Sequence, residues 1–301
     1  MSQDNPQESS NQAAADADAA DMQLDLPAEM FRQGDRVERA VLQMQRKNYG
    51  IQYTHVSFTE IGDQAVFEGD IILGNADDVR GVDDPSPLGI GIVGEEYRWP
   101  TDTIPYVVTD KSLRPMVEAA IAHWRQHTPF KFVERTTEGD YISFKRLNGC
   151  YSQVGRRGKE QVISLGTGCS VGSAIHEIGH ALGLWHEQSR SDRDNYIEIV
   201  WANIDPNQRH NFDKHVQDGQ DLGDYDCDSI MHYPATAFSI NGQPTIKVRG
   251  GEPIGQRNGL SKGDIAAIRM MYPTLNWPKT DAEVNSPTAD VPLQCSQSGG
   301  G

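Results

Sequence analysis

Long apolar runs are missing from this 301-residue chain, and none approaches the ~20 residues of a membrane-crossing helix. Positive charge is scarce: 27 Lys and Arg stand against 43 Asp and Glu, a net charge of −16. That balance argues against nucleic acid or an anionic membrane as a partner. No basic segment followed by an apolar one opens the chain, so an exported protein would have lost its signal or carried it outside this sequence. Cysteine is limited to Cys150, Cys169, Cys227 and Cys295, without the CxxC spacing of a zinc ribbon. Cys150 and Cys169 flank a short segment, either as free thiols or as a local disulfide, and the second reading suits an oxidising compartment. Apolar residues make up only 37%, which is low for a chain packed throughout and predicts tails. The first thirty residues contain no Lys, Arg or aromatic residue but seven acids, Asp4, Glu8, Asp16, Asp18, Asp21, Asp25 and Glu29. Such a segment buries too little apolar surface to offset its ordering entropy, and residues 1–30 read as a disordered acidic leader. Residues 281–301 have a similarly loose composition and read as a flexible tail.

What is present is organised. From Phe31 to Asn48, Val37, Ala40, Val41 and Met44 recur at three- and four-residue spacing and predict a helix. Residues 51–74 alternate apolar and polar positions around Gly62-Asp63, a strand, turn and strand. NADDVRGVDDPSPLGIG then reads as an exposed, cleavable linker with a boundary near Gly89. Beyond it, strands are predicted at 97–108, 130–133, 141–144, 161–165 and 196–200. An amphipathic helix follows Ser112, its predicted N-cap, and a last helix spans Ser261–Tyr272. Ser170 or Ser173 starts the helix between these, and a short helix is expected after Asp205. Strands and helices first, then a loop-rich half, imply an α+β fold in two lobes with a cleft between them.

The middle helix carries HEIGHALGLWHE, His176 to Glu187. His176 and His180, four apart, project from one helical face and can reach one metal ion. Gly183 tolerates the left-handed conformation that ends a helix, so the chain can turn and return His186 to the same ion. Three protein ligands with an open fourth position are what hydrolytic zinc needs. Glu177 lies beside the first ligand. Zinc lowers the pKa of a bound water to about 7, and a neighbouring carboxylate can take that proton and pass it to a leaving amine. HExxHxxGxxH fixes five positions in eleven and is a metalloprotease signature. Two other readings compete: a catalytically silent zinc-holding module that binds peptides, and a zinc hydrolase whose third ligand is a distant glutamate, which His186 disfavours.

HEIGHALGLWHEQSRSDRDNYIEI, SIMHY (Ser229 to Tyr233) and EEYRWPTDTIPYVV (Glu95 to Val108) resemble the astacin family of zinc endopeptidases in the metzincin clan. The resemblance covers most of residues 90–275. It implies a two-lobed catalytic domain, 90–280, with a twisted mixed sheet and helices in the N-terminal lobe, an irregular C-terminal lobe and one catalytic zinc in the cleft. Met231 would underlie the zinc in a tight turn. Tyr233 would be a further zinc ligand in the resting mature enzyme and would hydrogen-bond the oxyanion during turnover. His232 is left as structural. Glu187 would meet the new amino terminus of the processed chain. Cys150 and Cys169 match a family disulfide, whereas the earlier cysteine usual in the family is absent and the state of Cys227 and Cys295 is open. FEGDI (Phe67 to Ile71) resembles the family's FxGD switch, in which Asp70 would reach the zinc in the latent form. Residues 31–89 would then be an inhibitory pro-segment, removed by another protease or by self-cleavage near Leu88–Gly91. The expected partners are protein or peptide substrates, and the expected location is secreted or extracytoplasmic, with a lipid anchor as one route.

Overall fold

The computed structural model describes residues 31, 34, 36–46, 50–80, 97–214, 221–277 and 295. The expectations for the leader, for the cleavage site near Leu88–Gly91 and for most of the tail fall outside the described residues. Among those described, no helix is long and apolar enough to cross a membrane.

Ahead of residue 81, β1 (Arg36–Arg46), β2 (Gly50–Ile61), β3 (Gln64–Phe67) and β4 (Ile71–Asn75) form an antiparallel sheet in sequence order. This corrects the helix expected over residues 31–48. Those apolar positions satisfy a helical period but never make a continuous stripe: Ala40 is buried while Val37 is exposed. β2 instead offers an unbroken ladder from Arg36↔Glu60 to Arg46↔Gly50, and long-range pairing outweighs weak local propensity. The expected turn is present: Gly62 takes a positive φ of 65°, and β3 pairs back onto β2. Where a linker was expected, Asn75 caps a single helical turn, α1 (Ala76–Val79).

From residue 97 onward, β5 (Thr103–Val108) and α2 (Arg114–His127) precede β6 (Lys131–Glu134), β7 (Tyr141–Lys145), β8 (Cys150–Tyr151) and β9 (Glu160–Leu165). β5 is shorter than the strand expected from residue 97. Ser112 does not cap α2. Asp110 accepts from the Ser112 N–H and starts a 3-10 turn that leads into the helix. The sheet order is β6-β5-β7-β9-β8, parallel except for β8 at its edge. A sheet covered on one face by helices must bury that face, and Trp124 of α2 packs with Phe144, Ile163 and residues of α3 (Val171–Leu182) in one apolar core. The C-terminal half is irregular as expected. It holds several 3-10 turns, the pair β10 (Ile197–Ile199) and β11 (Ile246–Val248), an aromatic core of Tyr196, Phe212, Tyr225, Tyr233 and Phe238, and α4 (Lys262–Met271) capped by Ser261.

The two sheets meet beside the histidine helix. The Ile72 N–H donates to Ser152 O at 2.8 Å and the Ser152 N–H to Asp70 O at 3.0 Å, so the chain entering β4 runs alongside the edge at β8. An edge strand leaves N–H and C=O groups free, and this segment takes them up.

Candidate active site

α3 is buried on every side, and its ends are closed by specific groups. Both serines proposed as its start take part: the Ser170 hydroxyl accepts from the Ser173 N–H and the Ser173 hydroxyl accepts from the Ser170 N–H, each at 3.1 Å. At the other end Gly183 takes a φ of 110°, and Leu184 N–H reaches back to Gly179 O. Carbonyls freed by that turn find distant donors, Trp99 Nε1 on Ala181 and the Tyr272 hydroxyl on Leu182. Two glycines admit close neighbours. A Cβ on Gly172 would lie 1.8 Å from Arg257 O, and one on Gly179 would lie 2.8 Å from Met231 Sδ. Met231 therefore sits directly against the face that carries the histidines.

Each histidine's Nδ1 faces an acceptor that has no proton of its own to give. His176 Nδ1 donates to Ile230 O and His180 Nδ1 to Leu184 O, both at 2.8 Å. His186 Nδ1 donates to Glu68 Oε2 at 2.7 Å. Carbonyl and carboxylate acceptors require N–H at Nδ1 and leave Nε2 as the ligating nitrogen, the usual outer arrangement around metal-bound imidazoles. The three Nε2 atoms converge on Asp70: 3.3 Å from His176, 3.7 Å from His180 and 3.2 Å from His186. Their ligand atoms and a carboxylate oxygen of Asp70 all lie within 4.8 Å of one another, and all four residues are buried. Among the described residues, His176 Nε2, His180 Nε2 and Asp70 Oδ1 find no hydrogen-bond partner. Unsatisfied polar atoms in so dry a site are costly, and one divalent cation at their centre satisfies all of them. The donor set, three imidazoles and a carboxylate, fits zinc.

Burial first, then the Asp70 charge, pushes the Glu177 carboxyl well above its ordinary range, although Arg257 opposes this. Glu177 Oε2 is buried and has no partner among the described residues. Asp70 is held the other way: burial would raise its pKa, but the surrounding imidazoles of His186, His176 and His180 keep it well below the ordinary value. Tyr233 is fully buried, and its hydroxyl donates to Glu68 O at 2.6 Å. Glu187 is not a solvated surface residue. Its side chain is 14% exposed, Oε1 accepts from Asp226 N–H at 2.8 Å, and Arg190 lies 3.5 Å away. Burial drives it up to about 8, only partly opposed by Arg190. It borders a small cavity lined also by Gly183, Trp185, Arg190 and Met271. Cys150 and Cys169 are bonded, and Cys227 pairs with Cys295, which settles the pairing that sequence alone leaves open.

Two residues escape a sequence reading. Glu68, at a φ of 46° and fully buried, binds His186 Nδ1 and also accepts from the Ser189 hydroxyl. Its place inside FEGD is the available signal. Arg257 sends Nη1 to Ile230 O and His232 O, while its Nε and Nη2 are buried without partners among the described residues. A lone arginine in a glycine-rich loop offers no pattern to find it by.

Residues 92–273 match the model of the family described as Astacin, a peptidase family. Human tolloid-like protein 1 is 46% identical over 193 residues, 59% of this chain and 19% of its own length. Zinc metalloproteinase nas-13 of Caenorhabditis elegans is 40% identical over 224 residues, 68% of this chain and 50% of its own. The chain therefore spans less than two thirds of either relative. Among solved structures, high choriolytic enzyme 1 of Oryzias latipes, a hatching-enzyme zinc-protease, superposes with a TM-score of 0.57 at 41% identity, over 60% of this chain and 96% of that one. With the fold, four buried residues placed to hold one metal ion and a family match over more than half of its length, the chain belongs to the astacin family of peptidases.

Proposed function

We propose that this chain is the latent form of a zinc endopeptidase that cuts internal peptide bonds of proteins. The observation that carries the reading is the convergence of three Nε2 atoms, each with its Nδ1 committed elsewhere, on one buried carboxylate from before the linker. His176, His180 and His186 hold the zinc, and Asp70 is the fourth ligand of the latent form. When bound, zinc supplies a Lewis acid that makes water nucleophilic near neutral pH and polarises the substrate carbonyl. Glu177, poised by burial, accepts the proton of the attacking water and returns it to the leaving amine. Tyr233 donates to the oxyanion once Glu68 O no longer occupies its hydroxyl. Met231 supports the ligand helix through Gly179.

In this reading residues 1–30 are a leader, 31–89 the inhibitory pro-segment, 90–280 the catalytic domain and 281–301 a tail. Cleavage near Leu88–Gly91 removes Asp70, and the new amino terminus enters the cavity beside Glu187. The unsatisfied guanidinium atoms of Arg257 support a preference for an acidic side chain just after the scissile bond. Two disulfides fit an extracytoplasmic location.

The test measures zinc content and cleavage of a quenched fluorogenic peptide, with aspartate after its scissile bond, before and after limited proteolysis between residues 81 and 96. About one zinc per chain is expected in both forms, with cleavage only in the processed form and its loss on chelation. A processed protein that holds zinc yet cuts no peptide or protein substrate would establish the silent module instead.

A further inference from the structure

His232, between Met231 and Tyr233, has no part in the chemistry above, yet its two ring nitrogens are both committed. His232 Nδ1 lies 2.8 Å from Tyr233 O, which can only accept, so Nδ1 carries the proton. Nε2 then bears a lone pair, and the Tyr225 hydroxyl 2.8 Å away donates to it. All three side chains are essentially buried, so no water substitutes for these partners at little cost. The Tyr225 ring is fixed in turn, stacked on Tyr196 at 4.8 Å with an interplanar angle of 9° and flanked by the Arg190 guanidinium at 5.7 Å. At its other end the Tyr233 peptide is held through its N–H by Gln188 Oε1 at 3.2 Å. The backbone of Tyr233 is thereby gripped on both sides, while its hydroxyl donates to Glu68 O, a group that leaves with the pro-segment in the proposed function.

We infer that Tyr225 and His232 form a buried positioning relay that holds the Tyr233 backbone in the orientation from which its phenol reaches the reacting carbonyl. The inference rests on the assignment of Tyr233 to the oxyanion. Neither Tyr225 nor His232 touches substrate. They act through Tyr233, and their effect belongs to the transition state rather than to substrate binding. Arg190 also pairs with Glu187, which connects the relay to the cavity beside Glu187.

The experiment uses the full chain, processed by limited proteolysis, and the same fluorogenic peptide. Tyr225→Phe keeps the stacked ring and removes only the hydroxyl. It is expected to lower kcat about tenfold with KM unchanged within about twofold and zinc content intact. In a Tyr233→Phe background, Tyr225→Phe is expected to cost nothing further, because the group it positions is gone. His232→Asn retains a donor toward Tyr233 O and is expected to be less damaging than His232→Leu. An unchanged kcat in Tyr225→Phe, a loss confined to KM, equal losses in the two Tyr233 backgrounds, or no difference between the two His232 variants would overturn the relay. Full activity in Tyr233→Phe would instead overturn the oxyanion assignment beneath it, and the relay with it.

Discussion

The histidine helix and the β1–β4 segment, a strap that brings Asp70 to it, reach the same point by opposite routes. Within α3 the cap, the four-residue histidine spacing, the apolar positions and the terminating glycine all agree, and twelve consecutive residues, Val171 to Leu182, form a helix that is almost wholly buried. Agreement between local and global preferences is what lets a segment be read from its letters. The strap is different. β1 carries a helical spacing yet is a strand, and Glu68 and Asp70 acquire their partners across 118 and 116 residues of sequence. One half of the site is written in contiguous sequence, and the other is assembled by docking.

Breaking the first half should have the largest effect. Glu177→Ala is expected to keep zinc, since all three imidazoles and their Nδ1 acceptors remain, while peptide cleavage by the processed protein falls by about 10²–10⁴-fold. Retained cleavage near the parent rate, measured on metal-loaded protein, would remove Glu177 from the chemistry.

Breaking the strap at its centre comes next. Asp70→Ala should raise cleavage by the unprocessed chain about 10–100-fold, since contacts to charged groups contribute about 1.5–3 kcal/mol each. A variant as silent as the unprocessed parent would show that Asp70 is not what holds the site closed.

The smallest expected effect lies at the strap's outer contact, where Thr59 Oγ1 meets His210 Nε2 at 3.1 Å. Burial depresses His210 to about 4, against weaker opposing contributions from the Asn207 backbone and Glu68. The folded state therefore resists protonation more than the unfolded chain does. Its contribution is fully present above about 6.5 and is lost as pH falls from there toward 4, on the order of 1–3 kcal/mol. The melting temperature of the full chain should fall across that window, and His210→Gln, which cannot titrate, should flatten the fall. Parallel curves for parent and variant would place the acid sensitivity elsewhere.

Legibility follows the same divide. His176, His180, the helix cap and Gly183 can be read because each depends on neighbours within a turn or two. His186 needs only the glycine to explain its return. Glu68 and Arg257 cannot be read in that way: a glutamate beside a turn glycine and an arginine in a loop look like solvated surface residues until the fold removes the solvent. β1 defeats a local reading for a related reason. Its spacing is compatible with a helix, and only the ladder with β2, absent from any local window, decides between the two.

By itself the sequence determined the histidine helix, its cap, its terminating glycine and the two-part α+β architecture, because helical periodicity and glycine's freedom at positive φ act over a few residues. Tertiary structure alone decided that β1 is a strand, that Cys227 meets Cys295, and that the carboxylate of Asp70, about a hundred residues upstream, lies among three imidazoles. Those outcomes depend on which distant groups share a dry interior, where an unpaired charge is too costly to leave and a partner more than a hundred residues away is as near as a neighbour.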